Sequence, residues 1–180
     1  MHALYFDGGS RNNPGPSGAG AVLYALDEGG GSDDDGAPTI VWERWQYIDH
    51  ATNNEAEYAA LILGLTTLQE EEAEDGRRGV QDLEIRGDSK LVLNQVLGVF
   101  RTRQQNLQSL CRHARALLDR MDVPPASLVH VERKKNAHAD RLANRAMDTR
   151  RGGFTRHHAR HHARASSSAL VLPQRIWSAK

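Results

Sequence analysis

Apolar positions along this chain follow two periods, and the change from one to the other organises it. Three short runs of strand character come first, ALYFD, AGAVLYAL and TIVWERWQYI, and they predict an antiparallel meander. Between the second and third lies DEGGGSDDDGAP, residues 27–38, rich in glycine and aspartate and without periodicity, which reads as a hairpin tip. From Thr52 the period becomes helical: Ala56, Ala60, Leu61, Gly64, Leu65 and Leu68 share one side, and the helix is expected to end near Gly76. DLEIRGD then reads as a strand, SKLVLNQVL as a short helix and RQQNLQSLCRHARALLDRM as a longer one. SLVHVE follows as a strand and NAHADRLANRAMD as a final helix. The order βββαβααβα predicts an α/β fold with a mixed five-stranded sheet flanked by helices.

Composition narrows this picture. With 180 residues, 39% hydrophobic and 26% charged, the chain suits one globular domain, residues 1–148, followed by a tail, residues 149–180. It has no run of 18 apolar residues, and the strand-like ALYF follows Met1 almost directly, so a soluble, intracellular and cytoplasmic monomer without a membrane segment is expected. The one cysteine, Cys111, excludes an internal disulfide and any cysteine-based zinc site, and its helical context suits a buried apolar role. Formal charge is zero, from 23 basic and 23 acidic residues, but DDD at 33–35 and EEEAED at 70–75 oppose a basic second half. A basic face is concealed by that average. The tail after Asp148 holds no acid, six arginines and the repeated tetrad HHAR, and reads either as a nucleic-acid-binding arm that neutralises phosphates or as a solvated tail. His157, His158, His161 and His162 have a spacing that could hold zinc, though no second motif accompanies them, and ALVLPQRIW could dock as an added edge strand or through Trp177.

Of four notable carboxylates, three have an ordinary explanation. Asp7 precedes glycine, where aspartate commonly forms turns. Asp88 stands where a strand meets a helix and could serve as an N-cap, and Asp140, one turn into the last helix, suits the helix dipole. Glu57 is the exception, because it shares the apolar stripe with Ala60, Leu61 and Gly64, where an unpaired charge is costly. Glu55 points about 160° away on ideal geometry and reads as ordinary surface.

Taken together they point to chemistry. Two follow strands and two lie near the starts of helices that would pack beside those strands, so all four could meet at one sheet edge. Like charges that close repel unless a cation neutralises them, and an all-oxygen cluster suits Mg²⁺ or Mn²⁺. Two such ions roughly 4 Å apart would activate a water and stabilise the leaving oxygen in phosphodiester hydrolysis. A nucleotide loop is excluded: GPSGAG does not match G-x-G-x-x-G, no lysine completes a P-loop, and a strand rather than a helix follows.

YFDGGSRNNPGPSGAG, TNNEAEYAALILGL, IRGDSKLVLNQV and NAHADRLANRAMD, in this order and spacing, resemble the four acidic motifs of the type 1 ribonuclease H family over about residues 3–148. The resemblance implies an endonuclease that cuts the RNA strand of RNA/DNA hybrids, leaving 5′-phosphate and 3′-hydroxyl ends. It makes Asp7, Glu57, Asp88 and Asp140 the metal-binding carboxylates of a site with two Mg²⁺ or Mn²⁺ ions, Asp7 bridging both. It also implies that Asn53 and Asn54 contact the hybrid in its minor groove and that Thr52 contacts a DNA phosphate. Thr52 or Asn53 is equally suited to cap the helix. Gly8, Ser10, Arg11 and Asn12 lie on the first turn, where the backbone could approach RNA sugars and their 2′-hydroxyls.

Two departures from the familiar bacterial pattern follow. The GVFRT connection is too short for a basic helical protrusion, and VERKKNAHAD lacks the longer loop that carries an assisting histidine. Arg133, Lys134 or His138 would have to substitute, although His138 should point about 160° away from Asp140 on a helix. A hybrid-binding module without chemistry, or another nuclease on a related sheet, are the alternatives. The presence of all four acids argues against the first, and NNEAEY favours hybrid recognition.

Overall fold

The structure, a computed structural model, describes residues 1–26, 38–75 and 82–157. The hairpin tip at 27–37 and the readings made of residues 158–180 lie outside the described residues. Strands β1 (His2–Ser10), β2 (Gly15–Ala25) and β3 (Thr39–Ala51) form the antiparallel meander. Helix α1 (Asn53–Asp75) leads to β4 (Leu83–Gly87), which runs parallel to β1. Helices α2 (Lys90–Val96) and α3 (Gln105–Arg120) precede β5 (Leu128–His130), parallel to β4, and α4 (Ala137–Thr149) precedes β6 (Gly153–Arg156), antiparallel to β3. The sheet order is β5-β4-β1-β2-β3-β6.

Strand alternation sends side chains to two separate cores. Leu4, Phe6, Leu23 and Trp42 join residues of α1, α2 and α3 on one face, while Tyr5, Val22, Tyr24 and Trp45 meet Ala139, Leu142 and Ala146 of α4 on the other. Helix α1 is buried on more than the expected stripe. Tyr58, Ala59, Ile62 and Leu63 are also inside, because α1 is covered by α3 as well as by the sheet. Cys111 is buried and free, in line with an apolar role. Among the described residues, no helix is long and apolar enough to cross a membrane.

Three expectations are corrected. The glycine-rich stretch is largely strand, so Asp7 sits within β1 instead of following it. Among the described residues the sheet has six strands and not five, and the sixth comes from the start of the segment assigned to the tail. Four residues with a single large apolar side chain carry too little periodicity to be read in sequence, yet β6 pairs the open edge of β3. Phe154 packs near Trp42 with Arg44 over its ring, and Arg156 pairs with Glu71 and Glu74 of α1. Glu55, expected at the surface, is half-buried.

The glycines in β2 let α4 approach the sheet. A Cβ on Gly20 would lie 2.4 Å from the Ala139 carbonyl oxygen and 2.7 Å from the Ala143 nitrogen, both backbone atoms of α4. At Gly9 the nearest atom is the flexible Met147 Cε, at 3.6 Å. Gly20→Ala is therefore expected to lower stability by about 1–3 kcal/mol in chemical denaturation, whereas Gly9→Ala should stay within about 1 kcal/mol of wild type. Equal midpoints for both variants would contradict this account of the α4 contact.

Candidate active site

The parallel pairing of β1 and β4 sets Tyr5 opposite Arg86, and two residues further along each chain stand Asp7 and Asp88. Glu57 approaches from α1. That approach depends on Gly8: a Cβ there would lie 2.1 Å from the Ala56 carbonyl and 2.4 Å from the Glu57 nitrogen. Gly8 is buried against the helix, and its backbone N–H donates to the Glu57 carboxylate. Carboxylate oxygens of Asp7, Glu57 and Asp88 lie within 4.8 Å of one another.

Asp7 and Glu57 are each only 7% exposed. Burial, then the charges of Asp88 and Asp140, push Asp7 up to about 8. Burial, then Asp7 and Asp88, push Glu57 up to about 9. Arg133 opposes both shifts. Glu57 Oε2 is buried without a hydrogen-bond partner. A trio of all-oxygen donors, mutually repelling and with one oxygen unsatisfied, fits a hard divalent cation. This is an acidic metal-binding triad.

Asp140 borders Asp7, close enough to hydrogen-bond with its carboxyl group. Its own carboxylate accepts from Arg133 at 3.2 Å and from Asn144 Nδ2 at 3.0 Å. Of the three residues considered for an assisting role, Arg133 alone reaches the acids. Lys134 pairs with Glu132 at 2.8 Å. His138 points away as its helical position requires, with Nδ1 against the Tyr24 hydroxyl and Nε2 2.7 Å from Glu43 Oε1.

Asn136 was not singled out in sequence. It is buried, and its Nδ2 donates to Asp88 Oδ1 at 2.8 Å and to the Phe6 carbonyl at 2.9 Å. It precedes α4 as a cap would, but its side chain makes no capping bond because it holds Asp88 instead. The available signal was an asparagine one turn before Asp140, where a strand gives way to a helix.

The start of α1 forms a second cluster beside the acids. Thr52 is the cap: its Oγ1 accepts from the Glu55 N–H at 3.3 Å, while Glu55 Oε2 accepts from the Thr52 N–H at 2.7 Å and from its hydroxyl at 2.8 Å. The sequence T-x-x-E announces this reciprocal pair. Burial works against the Glu55 charge, but these bonds and one from Asn106 outweigh it and hold its pKa below the ordinary carboxylate value. Asn53 N–H donates to Asn13 Oδ1 at 2.8 Å, and Ser10 Oγ donates to the Ala51 carbonyl at 2.8 Å. Ser10 and the β1–β2 turn thus bond Ala51 and Asn53, and with the adjoining Thr52 and Asn54 they form one rim. Asn12 is exposed with φ 61°, and Arg11 is exposed and paired with Asp148.

The Reverse transcriptase-like family profile matches residues 5–146. The crystal structure of RNase H1 from the halophilic archaeon Halobacterium salinarum superposes with a TM-score of 0.62 at 37% identity, over 82% of this chain and 98% of that one. The chain belongs to the type 1 ribonuclease H family. LC11-RNase H1, solved in complex with an RNA/DNA hybrid, is 33% identical with a TM-score of 0.67, over 83% of this ribonuclease H-family chain and 99% of its own. Ribonuclease HI of H. salinarum is 44% identical over 148 residues, 82% of this chain, and a bifunctional protein of Mycobacterium tuberculosis is 38% identical over 142 residues. The chain spans 64% of the length of the first of these relatives and 34% of the second.

Raised carboxyl pKa values have a definite consequence for stability. Asp7 and Glu57 titrate higher when folded than when unfolded, so their contribution is full below about pH 4 and is lost as pH rises through about 8 to 9. Without divalent ions, the melting temperature should fall between pH 5 and pH 9.5, and Mg²⁺ should restore it most at the alkaline end. Asp7→Asn should flatten both the pH slope and the Mg²⁺ response. Scanning calorimetry across that range checks this, and a wild-type profile matching the variant would refute the charge repulsion.

Proposed function

We propose that this chain hydrolyses the RNA strand of RNA/DNA hybrids as a metal-dependent endonuclease, leaving 5′-phosphate and 3′-hydroxyl ends. The observation that carries the reading is the triad of Asp7, Glu57 and Asp88, with oxygens within 4.8 Å, set beside the rim formed by Ser10 and Thr52–Asn54. Two Mg²⁺ ions, or Mn²⁺, held there would supply an activated water and stabilise the leaving oxygen. Asp7, Glu57 and Asp88, with Asp140 bordering Asp7, are the residues that would hold the metal. Asn136 holds Asp88 in orientation, and Arg133 is placed to offset charge on the acids and on an incoming phosphate.

The rim supplies hydrogen-bonding groups for recognition. Asn53 is exposed and Asn54 half-buried, and their amides suit the minor groove of a hybrid, where the 2′-hydroxyl separates RNA from DNA. Helix α2 ends at Val96 and α3 begins at Gln105, so the connection holds no helical protrusion. It exposes Val99 (68%) and Phe100 (48%) beside Arg101 and Arg112, along a groove of about 470 Å³. An aromatic and cationic surface of that kind suits stacking and phosphate contact, in place of a longer basic element.

The test is cleavage of a labelled RNA/DNA hybrid beside single-stranded RNA, double-stranded RNA and double-stranded DNA, with Mg²⁺, Mn²⁺ or chelator. Cutting confined to the RNA strand of the hybrid, dependent on metal, is expected. Asp7→Asn should lower the rate at least about a hundredfold, and Arg133→Ala should lower kcat by about ten- to a hundredfold, the value of one charge-assisted hydrogen bond. Folded protein that binds hybrid without cutting it under either ion would replace this reading with that of a binding module.

A further inference from the structure

On the α4 face of the sheet, a pocket of about 250 Å³ lies below the turn that carries Lys135. Its walls are Tyr5 of β1, Tyr24 of β2, Leu26, Pro38, Arg86 of β4, Lys135 and His138. Tyr5 and Arg86 face each other in the parallel register, and Asp7 and Asp88 stand two residues further along the same strands. The pocket is therefore one pleat back from the triad, about 6.6 Å along the strands. Asn136, bonded to Asp88 and to the Phe6 carbonyl, stands between the two sites.

The walls are fixed before any ligand arrives. Tyr5 and Tyr24 pack edge to face with centroids 5.6 Å apart, and the Arg86 guanidinium lies over the Tyr5 ring at 5.4 Å. Arg86 donates to the Tyr5 hydroxyl at 2.6 Å and to Glu84 at 2.6 and 2.8 Å, which leaves guanidinium donors unused. His138 is held between Tyr24 and Glu43. Among the described residues Lys135 has no carboxylate partner, although its neighbours Arg133 and Lys134 both have one. The pocket thus combines aromatic walls with one uncommitted cation and has room for a single nucleotide unit.

We infer that this pocket binds a phosphorylated nucleoside, with the ring against Tyr24 and Tyr5 and the phosphate on Lys135 and Arg86. Such a ligand has two sources, a free nucleotide or the nucleotide next to the cleaved bond in a bound strand. The second source rests on the hybrid-cleaving function proposed above; the first does not.

The first arm measures binding of AMP, adenosine and inorganic phosphate to the full chain by calorimetry, in chelator so that no cleavage intervenes. AMP is expected to bind more tightly than either fragment. Lys135→Ala should weaken AMP about tenfold, and Lys135→Arg should recover most of the loss. Failure of AMP to saturate folded wild type at about 10 mM, a range that covers even weak millimolar binding, overturns the inference. So does equal AMP affinity in Lys135→Ala. The second arm uses the Asp7→Asn background and hybrids whose RNA either ends at the cleavage position or extends several nucleotides past it. If Lys135→Ala weakens only the extended hybrid, the strand is the source; if it weakens neither while AMP binding still depends on Lys135, a free nucleotide is. Because the first arm needs neither metal nor cleavage, it stands or falls separately from the nuclease reading.

Discussion

The acidic edge depends on a helix lying against a strand with no side chain between them. At Gly8 the backbone of α1 comes so near β1 that any Cβ would overlap the Ala56 carbonyl. This contact brings Glu57 within reach of Asp7 and aims the Gly8 N–H at the Glu57 carboxylate. The same device recurs on the other face, where Gly18 and Gly20 admit the backbone of α4. Both helices that carry acids, α1 with Glu57 and α4 with Asp140, are thus set by glycine contacts with the meander. The geometry of the site is a property of packing on both faces.

Packing these acids together opposes folding, and the surrounding groups relieve only part of the repulsion. Asn136 bonds Asp88, Gly8 bonds Glu57, and Arg133 reaches Asp140, yet Asp7 and Glu57 still titrate near 8 and 9. A buried Glu57 oxygen has no partner at all. An arrangement optimised for stability alone would have replaced or paired these charges. Their persistence is intelligible if a cation supplies the missing neutralisation, because its binding then adds to the stability of the fold.

Much of this was legible in sequence, and the misses share a cause. Long periodic segments such as α1 and α3 were plain, and the four acids stood out because Glu57 broke an apolar stripe. What periodicity cannot convey is partnership. The glycines read as a turn are strand residues that admit helices, a role visible only once the helices are placed. Asn136 stands at the cap position of α4, which sequence periodicity does not mark, and spends its amide on Asp88. Strand β6 has four residues and became recognisable only against the open edge of β3. Glu55 is different, because T-x-x-E was present in the sequence and assigning it by helical angle alone overlooked the reciprocal capping pair.

That pair constrains how the rim can meet a nucleic acid. A threonine hydroxyl has one proton to donate, and Thr52 gives it to Glu55, whose other oxygen is held by Asn106 of α3. Capping by Thr52 and the phosphate contact expected of it would therefore not be independent. For the hydroxyl to donate to a phosphate, it must leave Glu55, which keeps the Thr52 N–H and the Asn106 amide and so does not lose all its partners. The exchange swaps one charged acceptor for another. The helix start is meanwhile held by the Ala56 N–H to Thr52 carbonyl bond and by the Asn13 side chain on Asn53. If the proposed substrate meets the rim, Thr52 can thus change hydrogen-bond partners without displacing Glu57, which lies two residues beyond Glu55 on the same helix.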